Sequence, residues 1–158
     1  MGQGNNTLNI FNTVVGDDAK INMGGGDTNL LAADLHVTDV TSIVAGSRGT
    51  ATIEIFTSVF DDDLKIRTGN SNDRIDLAFV EVTDDMRITS RGGNDIVNFA
   101  ADQTFGPVPG ANVVGDSLRV SLGGGNDQLD VIADVGGRLS VAEGSGIDSV
   151  FVDDESPS

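Results

Sequence analysis

Four aspartates, Asp73, Asp95, Asp127 and Asp148, each close a short run rich in glycine and asparagine, and those runs include Asn94, Asn126, Gly123 and Gly125. Carboxylate, carboxamide and backbone carbonyl oxygens gathered at a glycine bend form the ligand set of a hard cation, and calcium tolerates irregular oxygen cages better than magnesium does. If the runs lie on successive turns of a repeat, neighbouring carboxylates approach to about 5 Å, and each pair repels by on the order of 1 kcal/mol in water and more in a drier setting. A calcium ion held by Asp73, Asp95, Asp127, Asp148, Asn94, Asn126, Gly123 and Gly125 would offset that repulsion. A second reading needs no ion: glycine supplies positive φ, Asn and Asp close the bend with their own side chains, and the carboxylates splay into solvent. Stacked Asn72, Asn94 and Asn126 would then form a ladder by themselves. A further acidic line, Asp17 and Asp18, Asp61 and Asp62, Asp84 and Asp85, and Asp116, marks another bend, poorer in glycine, that reads as a solvated edge.

Acid–base catalysis is the other chemistry that so many carboxylates permit. Polysaccharide lyases and hydrolases use a cluster of acids, or a base beside calcium, in an open cleft. Here the carboxylates recur at equivalent positions, as a structural device does, and do not break the repeat once, as a catalytic site usually does. His36, the only histidine, has no evident Ser or Asp partner in the sequence and reads as a surface residue. The chain is therefore expected to be no enzyme, with a polysaccharide lyase or hydrolase as the alternative.

The elements that position these residues emerge from self-similarity. Segments beginning at Leu64 (LKIRTGNSNDRIDLAF), Met86 (MRITSRGGNDIVNFA), Leu118 (LRVSLGGGNDQLDVIA) and Leu139 (LSVAEGSGIDSVFV) superpose without gaps. Each alternates apolar and polar residues, turns through Gly and Asn to Asp, then alternates again: two short strands joined by a tight bend. Worn copies begin at Ala19 and Ser42, and GNNTLNIF from Gly4 is half a copy. With the second apolar residue of the first strand as ruler, Ile21, Val44, Ile66, Ile88, Val120 and Val141 lie 23, 22, 22, 32 and 21 residues apart. The long interval holds an insertion at about 102–112, with two of the three prolines. A third apolar stretch in each repeat (VVGDD, SVFDDD, VEVTDD, NVVGDS, DVGGR) gives each turn three sides.

These features predict an all-β chain, a parallel β-solenoid of right-handed β-helix type, with about seven coils of roughly 22 residues and three short strands per coil. Ile21, Ile66, Ile88, Val120 and Val141 should stack in one inward column, and Leu30, Ile53, Ile75, Val97, Leu129 and Val150 in another. One domain spans 1–158 and ends in a short acidic tail, 153–158.

The Gly-Asn-Asp turn resembles the nonapeptide G-G-x-G-x-D-x-U-x of the repeats-in-toxin calcium-binding β-rolls, U being a large apolar residue. LGGGNDQLD (from Leu122) places Gly123, Gly125, Asp127 and Leu129 on that pattern, and EGSGIDSVF (from Glu143) places Gly144, Gly146, Asp148 and Val150. Earlier copies match less well, with Arg91, Ser71 and Thr28 at pattern positions, and one such turn recurs every 22 residues or so where the toxins set two in an 18-residue coil. The chain is also similar to the VGGxLxVxxGxGND repeats of glycine- and aspartate-rich surface proteins of planctomycetes and marine bacteria, Val114 to Asp127 being the nearest stretch. That resemblance implies an extracellular or cell-surface repeat and no particular reaction.

Charge narrows the partners. Nine Lys and Arg against 25 Asp and Glu give a net charge of −16, which repels nucleic acid and anionic lipid. Aromatic residues make up 4%, without Trp or Tyr, so stacking platforms for sugars or bases are lacking. There is no Cys for a disulfide or thiolate site, and no apolar run of membrane-spanning length, so neither nucleic-acid binding nor membrane insertion is expected. Outward positions of the first strand carry Lys20, Lys65, Arg67, Arg87 and Arg119, and those of the second carry Glu54, Asp76, Asn98 and Asp130, which reads either as lateral association or as charge balance on wet faces. The terminal coils carry no visible cap, which reads in one of three ways: an excerpt of a longer solenoid, an end covered by the tail, or copies stacked end to end into a filament. Calcium ions are the expected partner, with further copies where the third way holds.

Overall fold

The computed structural model describes residues 2–100 and 112–154. Alternation of apolar and polar residues produces fourteen strands in this span and no helix: β1 (Asn6–Val15), β2 (Ala19–Asn22), β3 (Thr28–Val37), β4 (Thr41–Val44), β5 (Ala51–Phe60), β6 (Leu64–Arg67), β7 (Arg74–Val82), β8 (Met86–Thr89), β9 (Ile96–Phe99), β10 (Asn112–Val114), β11 (Leu118–Ser121), β12 (Gln128–Val135), β13 (Leu139–Ala142) and β14 (Ser149–Asp154). Long and short strands alternate along the chain and separate into two sheets. The long strands form the order β1-β3-β5-β7-β10-β12-β14, with β9 between β7 and β12, and the short ones form β13-β11-β8-β6-β4-β2. Every pairing is parallel, and each joins a residue to its counterpart one turn away. The molecule is a parallel β-solenoid of about six turns, and its seven levels of long strand span about 30 Å at the usual strand spacing.

Three sides per turn are present, but the second and third expected strands are one bent strand in most turns. The bend falls at Asn12, Asp34, Thr57 and Phe79, whose φ values are 47°, 54°, 47° and 58°. These four are successive counterparts, and pairing lapses at them and resumes beyond. Only β9 and β10 are separate strands, divided by the insertion, most of which (101–111) lies outside the described residues. Of the expected tail, Asp153 and Asp154 belong to β14 and pair with Ile132 and Ala133, while 155–158 lie outside the described residues.

Inward residues stack as columns. Leu30, Ile53, Ile75, Val97, Leu129 and Val150 pair in series as expected, with Leu8 added below. In the other column the ruler residue Val44 is replaced by Ile43: Ile21, Ile43, Ile66, Ile88, Val120 and Val141 are the true series. Val44 pairs with Asn22 and Arg67 on the outward side. Most of these aliphatic residues in the middle turns are 0–2% exposed, so each turn is sealed by its two neighbours.

Candidate functional site

The Gly-Asn-Asp bend joins each short strand to the next long one, and the period-two alternation of the long strand turns its aspartate inward. Asp73, Asp95 and Asp127 have the same parity as the buried Ile75, Val97 and Leu129, and they are themselves only 2%, 1% and 3% exposed. Register makes them one column with Asp148, preceded in earlier turns by Asn6, Thr28 and Ala51. One carboxylate oxygen of each accepts the amide of the preceding turn. Ala51 N–H donates to Asp73 Oδ1 at 2.7 Å, Asp73 N–H to Asp95 Oδ1 at 2.8 Å, Asp95 N–H to Asp127 Oδ1 at 2.8 Å, and Asp127 N–H to Asp148 Oδ1 at 2.9 Å. Hydrogen bonds to a carboxylate are worth about 1.5–3 kcal/mol each.

Beside this inner ladder runs an outer one of opposite sense, in which the later turn donates to the earlier. Asn94 N–H donates to Asn72 Oδ1 at 2.7 Å, Asn126 N–H to Asn94 Oδ1 at 2.8 Å, and Ile147 N–H to Asn126 Oδ1 at 2.9 Å. The same column reaches down to Asn5 and Asp27, which accept from Asp27 and Thr50 at 3.4 and 3.1 Å. The Asn stack weighed from the sequence thus exists, closed through main-chain amides.

Glycine makes this stacking possible. Gly123, Gly125, Gly144 and Gly146 have φ of 98°, 132°, 94° and 141°, and a Cβ on Gly125 would fall on the Gly93 carbonyl oxygen of the turn below. The bend carbonyls are also engaged: Ser145 N–H donates to Gly123 O at 2.8 Å and Gly93 N–H to Gly124 O at 2.9 Å. Asp95 Oδ2 and Asp127 Oδ2 are the carboxylate oxygens of this column left buried and without a hydrogen-bond partner among the described residues. Calcium needs six to eight oxygens, so the bend offers few for an ion. Burial pushes the Asp95 carboxyl up to about 6, against the pull of the Asp73 amide and with the charges of Asp73 and Asp127 adding to the rise. Burial raises Asp73 as well, opposed by the Ala51 and Gly69 amides.

The opposite bend, from long strand to short, is three residues long in all six cases. Its middle position therefore stacks Asp17, Asp39, Asp62, Asp84 and Asp116, with Gly137 last. Asp39 stands apart from this line in the sequence because Val40 follows it, where the other aspartate-bearing bends have Asp18, Asp63, Asp85 or Ser117. Asp17, Asp18 and Asp39 bring carboxylate oxygens within 4.8 Å of one another, as do Asp62, Asp63 and Asp84. Asp63 accepts the Asp85 amide at 3.2 Å and Asp85 accepts the Ser117 amide at 3.1 Å, a third ladder. Asp84 itself is exposed, and its carboxyl is raised by desolvation and by the charges of Asp62, Asp63 and Asp116.

His36 has a partner that the sequence did not disclose: its Nε2 lies 2.8 Å from Asp61 Oδ2, one turn on, with both side chains 43% exposed. On the outer face of the long sheet, Glu54, Asp76, Asn98 and Asp130 form the expected column. Asp76 accepts from Arg74 Nη2 at 2.9 Å and from Asn98 Nδ2 at 2.6 Å. A shallow hollow of about 410 Å³ lies over Glu54, Phe56, Asp76 and Asp130. No protein-family model, curated protein or solved structure matches this chain.

Proposed function

We propose that the chain is a non-catalytic structural repeat module of the cell exterior, its turns clamped by side-chain ladders and further stabilised by calcium. The observation that carries this reading is the inner ladder: Asp73, Asp95, Asp127 and Asp148, the residues most suited to chemistry, each hold the amide of the turn before. Groups repeated and engaged in that way hold a scaffold together. Calcium finds better access at the acidic bend than at the Gly-Asn-Asp bend, because Asp62, Asp63 and Asp84 converge there and stay within reach of solvent. Carboxylates of this kind, exposed at Asp84 and half-buried at Asp62 and Asp63, suit the weak calcium affinities of extracellular modules, about 10⁻⁴–10⁻³ M. A surface protein built of many such turns, or copies stacked end to end, is the setting in which the fold is useful.

Thermal melting followed by circular dichroism tests the reading. The spectrum should be the same in chelator and in millimolar calcium, because the ladders need no ion, while the melting point rises with calcium. Coincident melting points would remove calcium from the account, and a chain unfolded in chelator would remove the ladders as its main support. The hollow over Glu54, Asp76 and Asp130 favours a second reading, action on a polysaccharide, which release of reducing ends from acidic oligosaccharides would establish.

A further inference from the structure

The short sheet is chemically unlike the rest of this acidic chain. Its six strands contain no Asp or Glu, yet five of the nine Lys and Arg lie on them. Lys65, Arg87 and Arg119 are directly opposite one another on adjacent strands, all exposed, with Lys20 in the same column two turns below Lys65. Like charges directly opposite across a parallel pair destabilise a sheet. Two shallow hollows, about 180 and 320 Å³, open along this row of side chains. The obvious remedy would be an ion pair with the chain's many aspartates. Only Lys65 makes one, to Asp63 at 2.7 Å, and Lys20, Arg87 and Arg119 make none among the described residues.

The positive column runs beside the negative one. Because each acidic bend enters its short strand at the same offset, Asp62 and Lys65, Asp84 and Arg87, and Asp116 and Arg119 form rungs of fixed polarity. Asp17 and Lys20 repeat the arrangement lower down, and in the last turn both charges vanish together, as Gly137 and Ser140. The stripes are three residues apart, about 10 Å of extended chain, and both repeat at the strand spacing of about 4.8 Å.

We infer that this edge is a pairing surface for a second copy of the chain, aligned side by side and parallel. A half-turn about an axis parallel to the solenoid and lying between the stripes sets each positive column against the partner's negative column, twice over. It does so rung for rung, because the two columns share one pitch. A half-turn about an axis across the solenoid sets like against like, so the charges also select the direction. Such an interface is self-complementary, as a two-fold dimer requires. The net charge of −16 does not prevent it, since at physiological salt charges beyond about 8 Å are screened and the facing stripes dominate.

Reciprocal charge reversal tests the pairing, with sedimentation velocity in chelator as the readout so that calcium has no part in it. The wild-type chain should form dimers at physiological salt that dissociate as salt rises. Arg87→Glu with Arg119→Glu should be monomeric, as should Asp84→Lys with Asp116→Lys, each with an unchanged circular dichroism spectrum. Mixed in equal amounts, the two variants should form a heterodimer, since one contact keeps its wild-type polarity, Asp84 and Asp116 against the partner's Arg87 and Arg119, and the other is restored with its polarity exchanged, glutamate against lysine. A monomeric wild type across the salt range, or a mixture that stays monomeric, overturns the inference. Retention of a monomeric wild type on a uronate or sulfate polymer, lost in the Arg87→Glu, Arg119→Glu variant, would overturn it too and assign the stripe to a polyanion. Either failure leaves the calcium reading intact, because that one is measured as a melting shift of the single chain.

Discussion

The two kinds of bend place aspartate at a fixed position of successive turns, and they put it to opposite uses. At the Gly-Asn-Asp bend the column of Asp73, Asp95 and Asp127 faces the interior and each carboxylate binds a main-chain amide of the turn before. At the three-residue bend the column of Asp17, Asp39, Asp62, Asp84 and Asp116 faces water for most of its length. The difference originates in the backbone. Glycines without room for a Cβ, Gly69 before Asp73, Gly93 before Asp95 and Gly125 before Asp127, the last two at positive φ, let the first bend pass close against its neighbour as the aspartate turns to the buried side. Stacked carboxylates therefore say little about ion binding until their direction is known: inward, amides between them offset the repulsion, and outward, that falls to solvent, a metal ion, another chain or a neighbouring cation such as Lys65 beside Asp63.

The largest effect that would break this contrast is a single methyl group. Gly125→Ala places a Cβ on the Gly93 carbonyl and forces alanine to a φ of 132°. It should cost about 3 kcal/mol or more in chemical denaturation. Gly16→Ala, at the first acidic bend with nothing within 4 Å of the added carbon, should stay within about 0.5 kcal/mol of wild type. Equal effects would mean that the tight stacking is not what distinguishes the bends.

Proton linkage provides the next largest effect. Asp95 has its folded value at about 6 against an ordinary 3.8, so between these values the folded chain holds a proton that the unfolded chain has lost. Stability therefore falls as pH rises through about 4 to 6, and the penalty is full above that window. The contribution is on the order of 2 to 3 kcal/mol, and Asp73 shifts in the same sense. Denaturant melts in chelator should show the chain more stable at pH 4.5 than at pH 7, and Asp95→Asn should flatten much of that slope while keeping an oxygen for the Asp73 amide. A wild-type chain that gains stability from pH 4.5 to 7 would contradict a buried, ion-free ladder.

Much of this was legible from residue order alone. The column from Leu30 to Val150 follows from period-two alternation at near-constant spacing, and parity already places Asp73 on the side of Ile75. Reading that aspartate as an outward bend residue overlooked the parity. The exchange of Val44 for Ile43 has a different cause: two adjacent aliphatic residues fit either phase, and the extra residue of that turn lies after the strand, in the bend of residues 45–50, where the ruler had assigned it before. The fused long strand was hidden because Thr57 and Phe79, residues that avoid positive φ, stand at its bend. Pairing across turns, which joins His36 to Asp61, is set by register and has no local pattern.

The smallest effect discriminates most sharply between the bends. Among the described residues Asp84 makes no hydrogen bond to the main chain through its carboxylate, and its neighbours Asp62, Asp63 and Asp116 repel its charge. Removing that charge in Asp84→Asn should therefore raise the melting point slightly in chelator. The same change weakens a ligand in the group of Asp62, Asp63 and Asp84, so the variant should gain less than wild type from millimolar calcium. Asp95→Asn should behave in the reverse way, losing pH sensitivity while keeping the calcium gain. If instead Asp95→Asn abolishes the calcium gain and Asp84→Asn leaves it whole, the ion sits within the Gly-Asn-Asp bend. The ladder amides of Asp73 and Asp95 would then have to give way to it, and their exchange with deuterium should quicken on calcium addition, a signature that an ion held at the outer bend cannot produce.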